Sequence, residues 1–504
     1  MNLLADGVAV SLVATVATAP LVAHTFGLLS LSGLVVNPAA VLLGGVVVTG
    51  SVVWMLLPLG ALQPLFAALL DAAAGVLDGL AVGRRRGVAL GRCHGGHLCR
   101  DGCGDALGRM PRAEKNVNFA PMMTLDEYRL LTEPDVRRAV EANRGRNPLE
   151  VALDKRLAHA ALVATQVKYL ARAAAKLPSY AAAGCILPPL AFEQASSEAC
   201  AAHKRIGGGR LLELTCGLGV DTLFLSRRFE QVVTLERSEV LAAVARENFR
   251  RLGVTNVEVV NAPAEEYLAR CTEHFDWLYA DPDRRSADGR KQLRLEASSP
   301  DVLALLPRLK EVADRLCFKL SPLFDVDEAF RLFGPCRVEA VSLGDECKEL
   351  VVSIDGEPPL LEATALGRGS FALPPAGRDG ATPSGAFLPE RYGWLVQPDV
   401  ALQKCRLARR ALEGVADIWS DNGYGFAAGE PRDVLGRVFA IERIEPFDPG
   451  RLRRELRGCG AELLKHDFPL SGEELARRLG VRRGGGVRLA FTRIEGRFWT
   501  IRLK

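Results

Sequence analysis

The sequence predicts an α/β protein built on a mostly parallel sheet, and three observations carry that reading. Residues 210–355 alternate short β-branched or Leu-rich runs with charged helical stretches, the pattern of βα units. A strand-like run, Leu211 to Leu214, leads directly into a turn holding Gly217 and Gly219 and then into an amphipathic stretch. Later apolar runs end in small, polar or acidic residues: Glu236, then Asn261 and Ala262, then Asp281.

At 504 residues the chain is long enough for about three domains of ~150 residues. A hydrophobic share of 48% and a charged share of 25% exclude a disordered chain. The net charge of +4 gives no large basic field overall. Twelve cysteines are too dilute for a disulfide scaffold and point to a reducing compartment.

The N-terminal region differs in composition from the rest. Before Arg84 there is no Lys or Arg, and the only acids are Asp6, Asp71 and Asp78. Gly7 to Ala23, Pro38 to Leu57 and Leu62 to Val82 are apolar and, at ~17–20 residues, long enough to cross a bilayer as helices. Arg84, Arg85 and Arg86 follow and would hold that end on the cytoplasmic side, anchoring a cytoplasmic catalytic region. Residues 1–83 are therefore expected to be a membrane segment with N-terminal transmembrane helices. Residues 84–116 are Gly- and Arg-rich and read as a linker. Cys93, His94, His97, Cys99 and Cys103 lie too close together for paired metal half-sites, so no structural metal is expected.

Residues 117–205 carry helical periodicity and form a helical extension, in which Lys168, Arg172 and Lys176 make a basic stripe opposite Val167, Leu170 and Ala174. The α/β core is expected over 206–372. The Pro/Gly-rich stretch 373–386 marks a boundary before a separate, Arg-rich α+β unit at 385–504. Its Arg451, Arg453, Arg454, Arg457, Arg477, Arg478, Arg482 and Arg483 suit a phosphate-tracking surface.

Ligands of open α/β sheets bind at the carboxyl ends of the strands. Gly217 and Gly219 allow close backbone approach there, Glu213 and Asp221 flank the turn, and a carboxylate at Glu236 suits the two hydroxyls of a ribose. No third spaced glycine follows to make the dinucleotide fingerprint, and no Lys-Ser/Thr to make a P-loop. The ordered quartet of Gly turn, acid, small or polar residue and Asp281-Pro282 is similar to the S-adenosylmethionine site of Rossmann-like class I methyltransferases. "QVKYLARAAAKLP", "EQASSEACAAHK", "ADPDRR", "KLSPLFDVD" and "GDECKELVVSI" resemble the bacterial members of that class with a THUMP-like C-terminal domain. The end of the chain resembles that domain itself.

This resemblance covers about 124–503 and implies an S-adenosylmethionine-dependent enzyme acting on RNA, either tRNA or rRNA. It makes Gly217, Gly219, Glu236, Asn261 and Ala262, with Glu213 and Asp221, the cofactor-binding set. Asp281, Pro282 and Lys319 become the catalytic set, and Arg284, Arg285 and Ser321 the substrate-binding set. An Asp-Pro turn offers acceptors to an exocyclic amine, and "CFKLSP" lacks a cysteine where carbon methylation needs one, so a base nitrogen is the expected acceptor. The aromatic residue that would stack a base after the proline is replaced by Asp283.

Residues 8–82 separately resemble a fragment of ComEC, the competence-type DNA-uptake membrane channel. That resemblance allows one alternative, a membrane protein of DNA uptake with a soluble passenger; another is a non-catalytic RNA-binding module that kept the fold, since fold alone does not fix activity.

Overall fold

A computed structural model describes residues 123–283, 295, 298–420 and 423–504. The expected membrane segment, the linker with its Cys/His cluster, and Arg284 and Arg285 lie outside the described residues. No helix among the described residues is long and apolar enough to cross a membrane.

The strands expected from the β-branched runs form β1 (Gly208–Glu213), β2 (Phe229–Leu235), β3 (Val257–Val260), β4 (Phe275–Ala280) and β5 (Ala313–Leu320). β6 (Arg337–Leu343), β7 (Glu346–Ile354), β8 (Leu360–Ala365) and β9 (Gly369–Leu373) complete a nine-stranded sheet in the order β3-β2-β1-β4-β5-β7-β6-β8-β9. β1 to β5 run parallel, and β7 runs antiparallel between β5 and β6. Because β1 lies between β2 and β4, the strand order reverses at β1, the position at which open α/β sheets leave a ligand crevice. The inner strands are apolar on both faces, as a sheet covered on both sides requires. Leu211, Leu212, Leu278, Tyr279, Cys317 and Phe318 are all fully buried.

The helical extension comprises α1 (Leu125–Thr132), α2 (Pro134–Ala142), α3 (Pro148–Ala152), α4 (Ala160–Lys176), α5 (Pro178–Ala182), α6 (Pro189–Gln194) and α7 (Glu198–His203). α1 starts at a capping box in which Thr124 and Glu127 satisfy each other's backbone N–H groups. α4 buries Val163, Val167, Leu170 and Ala173. Ala174, expected on that face, is exposed instead, because 3.6-residue spacing turns it past the contact. The basic stripe opposite is partly consumed: Arg172 pairs with Glu193, and Lys176 donates to the Phe192 carbonyl at 2.7 Å.

The extension shares one apolar cluster with the two helices that follow β1 and β2, α8 (Val220–Leu225) and α9 (Glu239–Leu252). The chain at Ile186 and Leu187 is pinned from both sides by buried amides. Ile186 exchanges two hydrogen bonds with Asn248 at 2.8 and 2.9 Å, and Leu187 exchanges two with Gln166 at 3.0 and 3.2 Å. Each buried amide thus satisfies one backbone N–H and one carbonyl. Beyond these, α10 (Ala264–Arg270), α11 (Val302–Val312) and α12 (Val326–Phe333) complete the crossovers of the sheet.

In the C-terminal region, β10 (Trp394–Pro398), α13 (Val400–Cys405), α14 (Ala408–Ala411), β11 (Asp417–Ile418), β12 (Gly425–Ala427) and β13 (Gly436–Pro446) come first. They are followed by α15 (Pro449–Glu455), β14 (Gly460–Lys465), α16 (Gly472–Leu479), β15 (Arg482–Arg483), β16 (Val487–Ile494) and β17 (Arg497–Leu503). The strands form a second sheet, β11-β12-β10-β13-β17-β16-β14-β15.

The α+β character agrees with expectation, but the separateness does not. Ala401, Leu402, Cys405, Leu407 and Ala408 of α13, α14 and the turn between them are buried in the same cluster as Leu361 and Ala363 of the first sheet. Asp399, fully buried, caps α13 and accepts from Ser342 at 2.5 Å. The apolar face of α13 outweighs the Pro/Gly-rich stretch, since each buried Leu-sized side chain contributes about 1.5–3 kcal/mol.

Candidate functional site

The turn after β1 holds the first group of side chains. Gly217 and Gly219 both take positive φ, +56° and +81°. A Cβ on Gly217 would meet nothing within 4 Å, so this residue faces open space at the strand ends. A Cβ on Gly219 would lie 2.6 Å from Cζ of Phe249, so only glycine lets α9 close over the turn.

Glu236 emerges from β2 and points at the turn. Its carboxylate accepts from the Gly217 N–H at 2.9 Å and from the Ser238 N–H at 2.8 Å. Burial pushes this carboxyl above its ordinary value, against the pull of those two N–H groups and of Arg237. Asn261, just past β3, donates to the Glu236 carbonyl at 2.8 Å, with Ala262 half-buried beside it. The structure therefore brings Gly217, Glu236, Asn261 and Ala262 to adjoining strand ends.

Glu213 lies beneath the turn and is 1% exposed. One oxygen accepts from Thr222 at 2.5 Å and from Thr234 at 2.7 Å, while the other is buried with no partner. Burial pushes its carboxyl up to about 8, even though the two hydroxyls act to lower it.

Asp221 departs from its expected place. Its oxygens are taken by Lys204 at 2.8 Å, Tyr279 at 2.9 Å and Ser196 at 3.0 Å, so it belongs to a buried network. The sequence put it beside the glycines. The first turn of α8 carries it inward, toward two lysines.

Asp281 and Lys319 meet as an ion pair at the ends of β4 and β5. The Asp281 N–H donates to Thr215 at 2.8 Å, tying β4 to the glycine turn. Lys319 also donates to Ser196 at 2.9 Å and lies 3.8 Å from Asp221. Burial disfavours its charge, but Asp281 and Asp221 hold the ammonium above the ordinary lysine value.

Lys204, with 1% of its side chain exposed, bridges Asp221 at 2.8 Å and Glu349 at 3.1 Å. Its pKa is likewise raised by the two carboxylates against burial. In return, Lys204 and Lys319 hold Asp221 well below the carboxylate range despite its burial. Two ammonium groups and three carboxylates are thereby contiguous across five elements.

The remaining expected residues fall outside this cluster. Pro282 is buried, and exposed Asp283 pairs through its backbone with Ser299. Ser321, half-buried, closes a turn by accepting from the Leu323 N–H at 3.2 Å. Asp325 caps α12, and Glu346 and Lys348 pair with each other. Cys317 is fully buried and its thiol is pushed up to about 12 by that burial; Cys216 is buried and raised for the same reason.

Sequence reasoning missed Ser196, Lys204, Tyr279 and Glu349. The only local signal is a lysine directly before β1 and an acid on an otherwise apolar stretch of β7. Among the described residues no group of three or more His, Cys, Asp or Glu side chains is arranged to hold a metal.

Residues 211–283 match the family model of a methyltransferase domain, and residues 436–504 match that of a THUMP-like domain. The chain carries a methyltransferase domain, and S-adenosylmethionine is its methyl donor. An uncharacterized S-adenosylmethionine-dependent methyltransferase of Mycobacterium tuberculosis is 26% identical over 340 residues, 64% of this chain and 90% of that protein. A methyltransferase structure from Porphyromonas gingivalis W83 has the same fold, with a TM-score of 0.63 at 23% identity over 76% of this chain and 99% of that one. A tRNA/tmRNA (uracil-C(5))-methyltransferase of Neisseria meningitidis is 41% identical over 122 residues, 21% of this chain and 33% of that protein. Both family matches lie outside residues 8–82, where the resemblance to the DNA-uptake channel was read.

Proposed function

We propose that this methyltransferase modifies RNA. The carrying observation is a basic face on the THUMP-like domain. Arg453 and Arg454 on α15, Arg457 just beyond it, and Arg477 and Arg478 on α16 are exposed and have no ion-pair partner among the described residues. Unpaired guanidinium groups on two packed helices suit the phosphates of a nucleic acid, since each phosphate neutralised releases counterions. Arg451 of the expected patch is instead paired with Glu445 and Glu455. The local similarity to a tRNA/tmRNA methyltransferase supports the same substrate class.

The residues at the strand ends fit S-adenosylmethionine. Gly217 leaves a cradle that any Cβ would enter, Glu236 offers a carboxylate beside it, and Glu213 keeps a buried oxygen without a partner. Gly217 and Gly219 would let the backbone approach the donor, Glu236 would accept from its ribose hydroxyls, and Asn261 and Ala262 would flank its adenine. Bound there, the donor supplies an electrophilic methyl group on a sulfonium. Asp281, Pro282 and Lys319 would then orient the acceptor at the end of β4. Arg284 and Arg285 follow directly and are proposed to contact the RNA backbone.

Filter binding of tRNA and rRNA fragments over a range of salt tests this reading. Replacing Arg453, Arg454, Arg477 and Arg478 by Ala should lower the salt slope by about 3, from ~0.7 per lost contact on single strands. An unchanged slope with unchanged affinity would remove the basic face from the argument.

A further inference from the structure

The expectation of a base nitrogen as methyl acceptor rests on the acceptors of the Asp-Pro turn, the Asp281 carboxylate among them, and on the lack of a cysteine at the end of β5. One oxygen of that carboxylate is instead held by Lys319, which is also bonded to Ser196 and lies 3.8 Å from Asp221. Behind it, Lys204 ties Asp221 to Glu349. An attacking amine gains positive charge as its bond to the methyl carbon forms, and an ammonium beside it opposes that gain. Residues 281–283 also supply no aromatic ring to stack a base. A carbon acceptor is equally poorly served. It needs a thiolate, and Cys216 and Cys317 are buried thiols whose pKa values are raised.

We propose that the Asp281–Lys319 pair takes an alcohol oxygen, the 2′-hydroxyl of a ribose in RNA, as the methyl acceptor. This rests on the RNA reading above, because a 2′-hydroxyl is the alcohol an RNA chain presents along its length. The polarity of the pair matches what a hydroxyl requires. As the oxygen bonds to the methyl carbon, the carbon–sulfur bond breaks and its electron pair stays on sulfur. The hydroxyl proton passes to Oδ1 of Asp281, the carboxylate oxygen that Lys319 does not hold, and from there to water. While that proton departs, negative charge grows on the oxygen, and the Lys319 ammonium stabilises it as a preorganised donor. Ser196, Asp221, Lys204 and Glu349 are positioning residues. They hold Lys319 against the end of β4 so that it need not reorganise during the step.

The test incubates the full chain with methyl-labelled S-adenosylmethionine and RNA from cells in which the gene has been deleted, then hydrolyses the RNA in alkali. A 2′-O-methyl group blocks cleavage of the next phosphodiester bond, so label in alkali-stable dinucleotides supports the proposal. Label in alkali-labile, base-methylated nucleosides overturns the oxygen acceptor and leaves the RNA reading standing. No label in any RNA, from protein that binds S-adenosylmethionine in a calorimeter, overturns the RNA reading and this inference with it.

Lys319→Met should cut the turnover number about 100-fold while the cofactor Kd stays within about 2-fold. Lys319→Arg, which keeps the charge, should recover part of that loss. If Lys319→Met does not fold, Ser196→Ala serves in its place and should lower kcat severalfold without changing the KM for RNA. Wild-type kcat in a folded variant of either kind would overturn the assignment.

Discussion

Lys204→Met is the sharpest test of the buried network. The side chain is 1% exposed and joins Asp221 at 2.8 Å to Glu349 at 3.1 Å. Methionine fills similar volume but leaves both carboxylates without their shared cation. Asp221 keeps Tyr279 and Ser196, with Lys319 at 3.8 Å, whereas the Glu349 carboxylate has no other hydrogen bond among the described residues. Breaking a buried ion pair by removing one partner costs about 3–5 kcal/mol, and the partners Asp221 retains put this variant near ~3 kcal/mol. Set against a total stability of about 5–15 kcal/mol, that is a large fraction. With an m-value of ~3 kcal/mol/M, the urea midpoint should fall by about 1 M at unchanged slope. The native pKa of Lys204 is raised, so its contribution is complete below the ordinary lysine value and fades only above it. That of Asp221 is lowered, so its contribution is complete above the ordinary aspartate value and fades only in acid. Glu349 is raised by burial even beside Lys204 and is raised further without it, so the difference between the two proteins should widen as pH rises above the ordinary glutamate value. The double variant Lys204→Met/Glu349→Leu removes charge from both sides and should recover most of the loss. A single variant as stable as the wild type, or a double variant worse than the single, would refute the pairing.

Other perturbations probe the strand ends. Glu213 is pushed up to about 8 by burial, so its native carboxyl stays protonated while the unfolded one ionises. Stability should then fall as pH rises from about 4.5 to 8, by up to a few kcal/mol, and Glu213→Gln should flatten that slope in urea titrations at several pH values. Gly219→Ala meets both a positive φ and Phe249 at 2.6 Å, and thermal unfolding should show a loss of about 1–3 kcal/mol. Glu236→Ala removes the carboxylate proposed to hold the donor's ribose. Calorimetry with S-adenosylhomocysteine should show Kd raised about 10- to 100-fold, and an unchanged Kd would reduce Glu236 to a brace for the Gly217 turn.

The legible parts of this protein are those whose physics is local. The run into Gly217 and Gly219, the acid at Glu236 and the Asp281-Pro282 turn all stand within a few residues of a strand end, so strand periodicity alone positions them. What brings Lys204 to Glu349 is a pairing across 145 residues, set by β7 entering the sheet beside β5. No local pattern encodes that meeting. For the same reason Asp221, read as a neighbour of the glycines, turned inward to charges that lie far off in sequence. The boundary near residue 385 misled in another way. Pro and Gly mark where regular structure stops, not where a core stops, and α13 returns to the first sheet through Leu402 and Cys405.

The helical extension reads in sequence as a unit ahead of the core, yet it is built into the site. Tyr180, fully buried on α5, donates through its hydroxyl to the carbonyl of Leu218 at 3.1 Å, inside the glycine turn itself. Ser196 and Lys204, from the same extension, both donate to Asp221, and Ser196 also accepts from Lys319. The extension also covers Leu218, Val220, Leu223, Ala245 and Phe249, which are buried only while α4 and its neighbours lie over them. A fragment starting at residue 206 would expose that face and remove Lys204 from its two carboxylates. It is expected to aggregate and to bind no S-adenosylmethionine in calorimetry, with Ser196→Ala in the full chain as the mild comparison that keeps the covering helices. A monodisperse fragment with wild-type cofactor affinity would mean that the glycine turn holds its shape without Tyr180, and that the extension serves only the acceptor side of the reaction.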